Sequence, residues 1–392
     1  VASVNSFETD MRKLRKKRKR KRALKNLMMM LIVVAFAAAV YLSKDLWLPY
    51  LEGVLERGMS DSDETSGVEN FPIDISSRSN VSIDAMDSCW TLFTDTTFYT
   101  CSSDGTELFS IHLPYSNPVI ETTSRRALVY DMGGYNLTVV NKNSEVFSKR
   151  LDSQILYAVI GENGNIAVVT STDKYDSYLT IYDRNGTEIF HWADGNLITS
   201  VCLDDSGNGC IVASVYARGG EFKSVVSKLD FSVEEVAGKT PAVNTLCLAV
   251  EYTSDGGFWL VGDETLYRFN SDCEQEYAYN YNYEITQFSV DDDVCAMMFS
   301  APGSSDTYVV LFNSDIDEET EITYNDEIHH IDIYDGSIFL NSDTRLSAFA
   351  SDGTIVGTAP LDTEYVSFAV CGKNVFLQGY RSINKTQMTM HD

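Results

Sequence analysis

Histidine is scarce in this chain, five among 392 residues, and the places it takes exclude most imidazole chemistry. His112, His191 and His391 stand alone, and His329 and His330 are adjacent, so on a strand they point to opposite faces and cannot simply share a metal ion. No G-x-S-x-G elbow, P-loop, G-x-G-x-x-G or H-E-x-x-H stretch occurs, which removes the usual sequence marks of a hydrolase nucleophile, a nucleotide cradle or a zinc peptidase. Cysteine is present but unpatterned: eight residues, no C-x-x-C pair and no metal-ligand spacing. These absences leave no metal or cofactor to expect and weigh against an enzyme.

Positive charge is also thin over most of the chain. Residues 1–26 hold eleven Lys+Arg against Glu8 and Asp10, a net of +9. The remaining 19 cations face 55 carboxylates, a net of −36. The large acidic part would be repelled from nucleic acid, whose recognition needs cations against phosphate.

What is present begins with a basic block, Arg12 to Lys25, followed at once by Leu27 to Leu42, LMMMLIVVAFAAAVYL, 16 residues without a charge. A cationic flank beside an apolar run is the form of a membrane insertion signal, with the cations on the cytoplasmic side. The expected organisation is a basic cytoplasmic tail at the inner leaflet (1–26), one transmembrane helix (27–43), a juxtamembrane helix and acidic linker (44–70), and an extracytoplasmic domain (71–392). Tyr41, Trp47 and Tyr50 sit where an interfacial aromatic belt would lie. A cleaved signal peptide is the rival reading, since Ala37, Ala38 and Ala39 offer a small-residue cleavage site. Ser60 to Asn70 is polar, acidic and free of large hydrophobes, the composition of a linker.

From about Phe71 helical periodicity disappears. Short runs of Val, Ile, Tyr, Phe and Thr alternate with Gly, Asn, Asp and Ser clusters, the pattern of strands and turns. One turn recurs seven times at steps of roughly 40 residues, the period of a four-stranded blade. It is clearest at Ser103-Asp104-Gly105-Thr106, Arg184-Asn185-Gly186-Thr187 and Ser351-Asp352-Gly353-Thr354. The repeat extends into the strands: residues 331–354 align without a gap on 83–106, with ten identities that include Ile83/Ile331 and Asp84/Asp332. A small twisted sheet cannot bury both faces alone, and a ring of such sheets can. The fold expected is therefore all-β, a β-propeller. Phe71 to Ser76 supplies the missing strand of a last blade built from 365–370, 374–380 and 387–390, which makes eight blades, with seven as the alternative.

Most cysteines fall inside apolar strand segments, where a thiol packs as a small hydrophobe. Cys202 and Cys210 bracket a turn and are the pair placed to form a disulfide. Asp291-Asp292-Asp293 and the stretch from Asp315 to Glu321 read as acidic loops, the second without the glycine a calcium loop needs. Tyr277, Tyr279, Tyr281 and Tyr283 occupy every second position, an aromatic stripe on one side of a strand. Such a stripe either stacks on a sugar or partner, or packs between blades.

The stretch Tyr130 to Phe231, with YDMGGYNLTVVNKNSEVFSKRL at its start, resembles an uncharacterised family of bacterial envelope proteins that have a basic tail, one span and an exported propeller. Tyr130, Asp131, Met132, Gly133 and Gly134 form the most specific part of that resemblance. The family is one of unknown function, so the resemblance implies the architecture and a bacterial cell-envelope location, and it brings neither an activity nor catalytic residues. Asp183 to Trp192 is similar, more distantly, to the blade motif of quinoprotein-type propellers, but only one blade has the tryptophan. The reading that follows is a membrane-anchored extracellular propeller of unknown activity, a non-catalytic platform that binds an envelope protein or glycan partner. The alternatives are a propeller enzyme using acidic residues at the central channel, and an extracellular sensor module.

Overall fold

A computed structural model describes residues 70–390, apart from 173–174, 234, 301–306, 315–318 and 325. The expected tail and span lie outside these residues, as do the juxtamembrane helix and all but Asn70 of the linker. Every regular element among the described residues is a strand, and none of them is a helix long and apolar enough to cross a membrane.

The strands form eight antiparallel sheets. Seven are cut from consecutive strands: blade 1 (82–112), blade 2 (118–150), blade 3 (155–194), blade 4 (197–239), blade 5 (247–280), blade 6 (284–324) and blade 7 (328–360). Blade 8 takes three strands from the C-terminal region, Ser367–Cys371, Asn374–Gln378 and Ser382–Gln387, and its outermost from the other end of the domain, Ile73–Asp74. First strands of neighbouring blades touch in chain order, and that of blade 8 touches that of blade 1, so the ring is closed. This is the eight-blade architecture, with the closing strand from 71–76, that the sequence implies.

The burial pattern follows from strand position. Middle strands are covered by blades on both sides and are apolar throughout, as in Ile166–Thr170 and Phe258–Gly262. Outer strands alternate, as in Glu107–His112, because one side of each reaches solvent. The core is accordingly split into eight apolar clusters, one at each junction between blades. At the closure, Trp90 of blade 1 stacks on Phe376 of blade 8 at 4.8 Å, beside buried Ile75. Burying each such side chain contributes roughly 1.5–3 kcal/mol.

The recurrent turn joins the third and fourth strands of its blade. Its aspartate accepts hydrogen bonds from nearby groups: Asp104 Oδ1 takes the Thr106 amide at 3.0 Å, and Asp183 Oδ1 takes those of Asn185 and Thr187. The next requirement is a left-handed residue, met by Gly105, Gly186 and Gly353 at φ 84, 81 and 82°. In an up-and-down sheet the first and third turns open on the same end. Both therefore lie on one face of the ring, the turn face, while second turns and links between blades lie on the other, the link face.

The final strands differ from expectation. The third strand of blade 8 is Ser382–Gln387, fixed by pairing of Ile383 with Gln378, and its polar sequence carries little strand signal. Thr389–Met390 instead adds a fifth strand to the outer edge of blade 7.

Candidate functional site

The innermost strands all run toward the turn face, and near that end several carry a carboxylate: Asp84, Glu121, Glu251, Asp291 and Asp332 from blades 1, 2, 5, 6 and 7. Glu162, Asp205 and Asp292 follow in the first turns of blades 3, 4 and 6. The result is a ring of negative charge at the mouth of the central channel. Glu121, Glu251 and Asp84 are walled by protein yet keep some accessible surface. Burial lifts Glu121 to about 7, and the charge of Asp84 adds to it. Burial lifts Glu251 to about 7 as well, opposed by the Cys202 thiol and assisted by Asp291, Asp292 and Asp205. Asp84 and Asp291 are pushed to about 6, first by burial, and Asp332 is raised for the same reason. The side-chain charges acting on Asp84, Glu121, Glu251 and Asp291 are negative, several of them from other blades.

The mouth is also braced. Every junction between blades has a hydrogen bond near this end. Thr122 donates to Asp84 at 2.8 Å, Ser124 donates its hydroxyl to Glu162 at 2.5 Å, and Asn165 donates to the Gly207 carbonyl at 3.1 Å. The Cys202 thiol donates to Glu251 at 3.1 Å, Ser254 to Asp293 at 2.5 Å and Ser289 to Asp332 at 3.1 Å. The Gly372 amide donates to the Tyr334 hydroxyl, and the Cys371 thiol to the Met86 carbonyl, closing the circle. Asp84, Glu162, Glu251, Asp293 and Asp332 are thus held in place. No three His, Cys, Asp or Glu among the described residues are close enough to hold a metal ion. The arrangement suits a ligand with several positive charges spread over the mouth better than one bare ion.

The residues singled out in the sequence fall elsewhere. Tyr277, Tyr279 and Tyr281 pack between blades 5 and 6, Tyr279 edge-on to Phe312 at 5.0 Å and Tyr281 against Phe299 at 5.1 Å. Only Tyr283 is exposed, at 41%. Cys202 and Cys210 do not form a disulfide, and both thiols are buried. Cys202 pairs with Ile211 and Cys210 with Leu203, one step out of register, so the two side chains enter opposite faces of blade 4. Asp131 of the Tyr130–Gly134 motif accepts the backbone amides of Ser116 and Asn117 at 2.9 and 2.8 Å. Gly133 and Gly134 exchange backbone hydrogen bonds with Ile155, and a Cβ on Gly134 would collide with the Asp131 carboxylate. The motif therefore braces the second turn of blade 2 against the first strand of blade 3. His329 bonds Asp343, while His330 meets Phe368 edge-on. Residues 315–318 of the second acidic loop lie outside the described residues.

Sequence reasoning located Asp291-Asp292-Asp293 as an acidic loop and matched Asp84 to Asp332, but it did not assemble the ring. The available signal was that repeat identity: two copies of one position, each on an innermost strand, both acidic. Glu121 takes the same hairpin position, pairing with Leu128 as Asp84 pairs with Thr91 and Asp332 with Phe339, whereas Glu251 pairs with Trp259 in a different register and leaves no such trace.

The model of a family described as a family of unknown function (DUF5711) matches residues 68–388. Among solved structures, the chain is similar to BamB from Moraxella catarrhalis at 13% identity and TM-score 0.53, over 80% of this chain and 95% of that one. It is similar to hydrazine synthase of Kuenenia stuttgartiensis at 10% identity and TM-score 0.50, over 72% and 98% of the two chains. Both likenesses speak to the fold alone. No curated protein matches.

Proposed function

The chain belongs to DUF5711, a family of unknown function, and from that premise we infer a role from its own site: a non-catalytic, membrane-tethered platform of the bacterial cell envelope that docks a cationic segment of an envelope partner at the acidic mouth. The observation that carries this reading is the ring of carboxylates from five blades, in which Asp84, Glu121, Glu251 and Asp291 each feel the negative charge of neighbouring carboxylates. A partner cation would relieve that repulsion, and the braced mouth need not reorganise to receive it. The basic tail and apolar run of residues 12–42 support a tether, with the cations on the cytoplasmic side and the propeller on the other.

The probe is a decalysine peptide, titrated against the full chain in nanodiscs so that the chain's own basic tail stays across the bilayer. Binding at 50 mM salt should weaken about tenfold or more by 300 mM. Glu251→Gln with Asp291→Asn should weaken it at least about threefold. Neutralising Glu221 and Glu364 on the link face should matter less. Equal effects from the two pairs would remove the mouth from the reading.

Topology has its own check. A protease site inserted between Ser60 and Asn70 should be cut by protease added to intact cells, while an N-terminal tag survives. Loss of the tag with the linker intact would reverse the orientation.

A second reading, a propeller enzyme, draws on the two carboxyls near 7, a value suited to general acid work. It ranks lower because the nucleophile beside Glu251 is Cys202, whose thiol burial pushes far up.

A further inference from the structure

We propose a second binding site on the link face, between blades 5 and 6, that takes a small molecule bearing an alkylammonium group. It lies outside the platform reading and on the opposite end of the ring from the acidic mouth.

The site is a cleft of about 660 Å³ where the second turn of blade 5 meets the link to blade 6, a volume within the range of small-molecule pockets. Tyr283, the one tyrosine of the stripe left exposed, forms part of its wall. Its ring is stacked on Tyr308 at 5.4 Å and 20°, which fixes its plane. Glu264 and Glu284 line the same cleft, both exposed, and no Lys, Arg or His is among the described lining residues. Asp263 adds a third carboxylate, with one oxygen held by the Thr245 hydroxyl and the Leu246 amide. Tyr281 lines it too, with its hydroxyl buried.

These features select one chemistry. A fixed aromatic face attracts a cation through its quadrupole. The two exposed carboxylates give the same preference by charge. A neutral sugar would gain the stacking but not the electrostatic part.

Glucosamine and N-acetylglucosamine share a ring and differ in the charge of the amine, so they separate the two. Both are titrated against the full chain at pH 6.5 and followed by ligand-observed NMR, with tetramethylammonium as a sugar-free cation. Glucosamine and tetramethylammonium should bind with Kd of about 1–10 mM, and N-acetylglucosamine at least about tenfold more weakly. Tyr283→Ala and the pair Glu264→Gln/Glu284→Gln should each lose about tenfold, while Tyr283→Phe keeps the ring and keeps binding. Glu251→Gln, at the mouth, should leave this binding unchanged, which separates failure here from failure of the platform reading. Equal binding of the acetylated sugar, indifference to both cleft variants, or no binding of either cation by about 100 mM would overturn the site.

Discussion

Deleting residues 71–76 from the full chain is expected to abolish cooperative folding of the whole ring. The segment adds only a two-residue strand to blade 8, by the pairs Ile73↔Ile383 and Asp74↔Ser382. Its side chains do more. Ile75 is buried, and Phe71 lies 6.0 Å from Trp90 and 5.7 Å from Phe376, ring to ring. These groups cover the junction where blade 8 meets blade 1. Each large apolar side chain lost from such a junction costs about 2–5 kcal/mol, and a domain of this kind has only about 5–15 kcal/mol to lose. The effect should spread because each blade buries one face on the next: an open ring exposes the flank of blade 1 and the outer edge of blade 8 together. The measurement is thermal unfolding by circular dichroism with soluble yield. Ile75→Ala serves as the milder companion, expected to cost about 2–3 kcal/mol while remaining folded. A deletion variant that melts cooperatively within a few degrees of the parent would show that the ring does not depend on its closing strand.

That closing strand was legible in the sequence, and the acidic ring mostly was not. The difference is physical. Blade period and turn position are local properties: a turn needs Asp or Asn to accept amides and a residue that tolerates positive φ, and those letters recur wherever the geometry does. Cys273, at φ 64°, shows the limit, since it takes the place that Gly105, Gly186 and Gly353 take in other blades, and no letter marks it. Convergence at the channel is non-local. Glu121 and Glu251 are separated by 130 positions, and only closure of the ring puts both at one mouth. The tyrosine stripe left two readings open, and packing between blades is the one found for Tyr277, Tyr279 and Tyr281. Alternation correctly predicts a shared face for Tyr277, Tyr279 and Tyr281, but whether that face meets solvent depends on blade 6, which supplies Phe299 and Phe312. The disulfide reading failed on register alone, because one residue of offset sends Cys202 and Cys210 to different junctions.

Lowering the pH from 8 to 5.5 is expected to stabilise the propeller, and removing the mouth carboxylates should cancel most of that gain. The sign follows from proton counts. Asp84, Glu121 and Glu251 have folded-state values raised to about 6, 7 and 7, above their ordinary carboxylate values. Between about pH 4 and 7 the folded chain therefore holds protons that the unfolded chain has released, so stability falls as pH rises through this window. A raise of about two units corresponds to roughly 3 kcal/mol per group; the channel is open to solvent, which screens the effect, and about 1 kcal/mol each is the working figure. The three together give on the order of 3 kcal/mol between pH 5.5 and 8. Carboxylates with lowered values, such as Asp255 at about 2, keep their contribution through this range and lose it only in stronger acid. Glu251→Gln alone should gain about 1 kcal/mol at pH 8 and nothing at pH 5, since the amide oxygen still accepts the Cys202 thiol. The triple variant Asp84→Asn/Glu121→Gln/Glu251→Gln should show a nearly flat profile, measured as denaturant midpoints at the two pH values with unchanged slope. A parent whose midpoint rises from pH 5.5 to 8, or variants that lose stability at pH 8, would mean the mouth is not strained by its own charge. The same strain links stability to the proposed role: decalysine should raise the midpoint of the parent at pH 8 and leave that of the triple variant nearly unmoved, because a cation can relieve only the repulsion that is present.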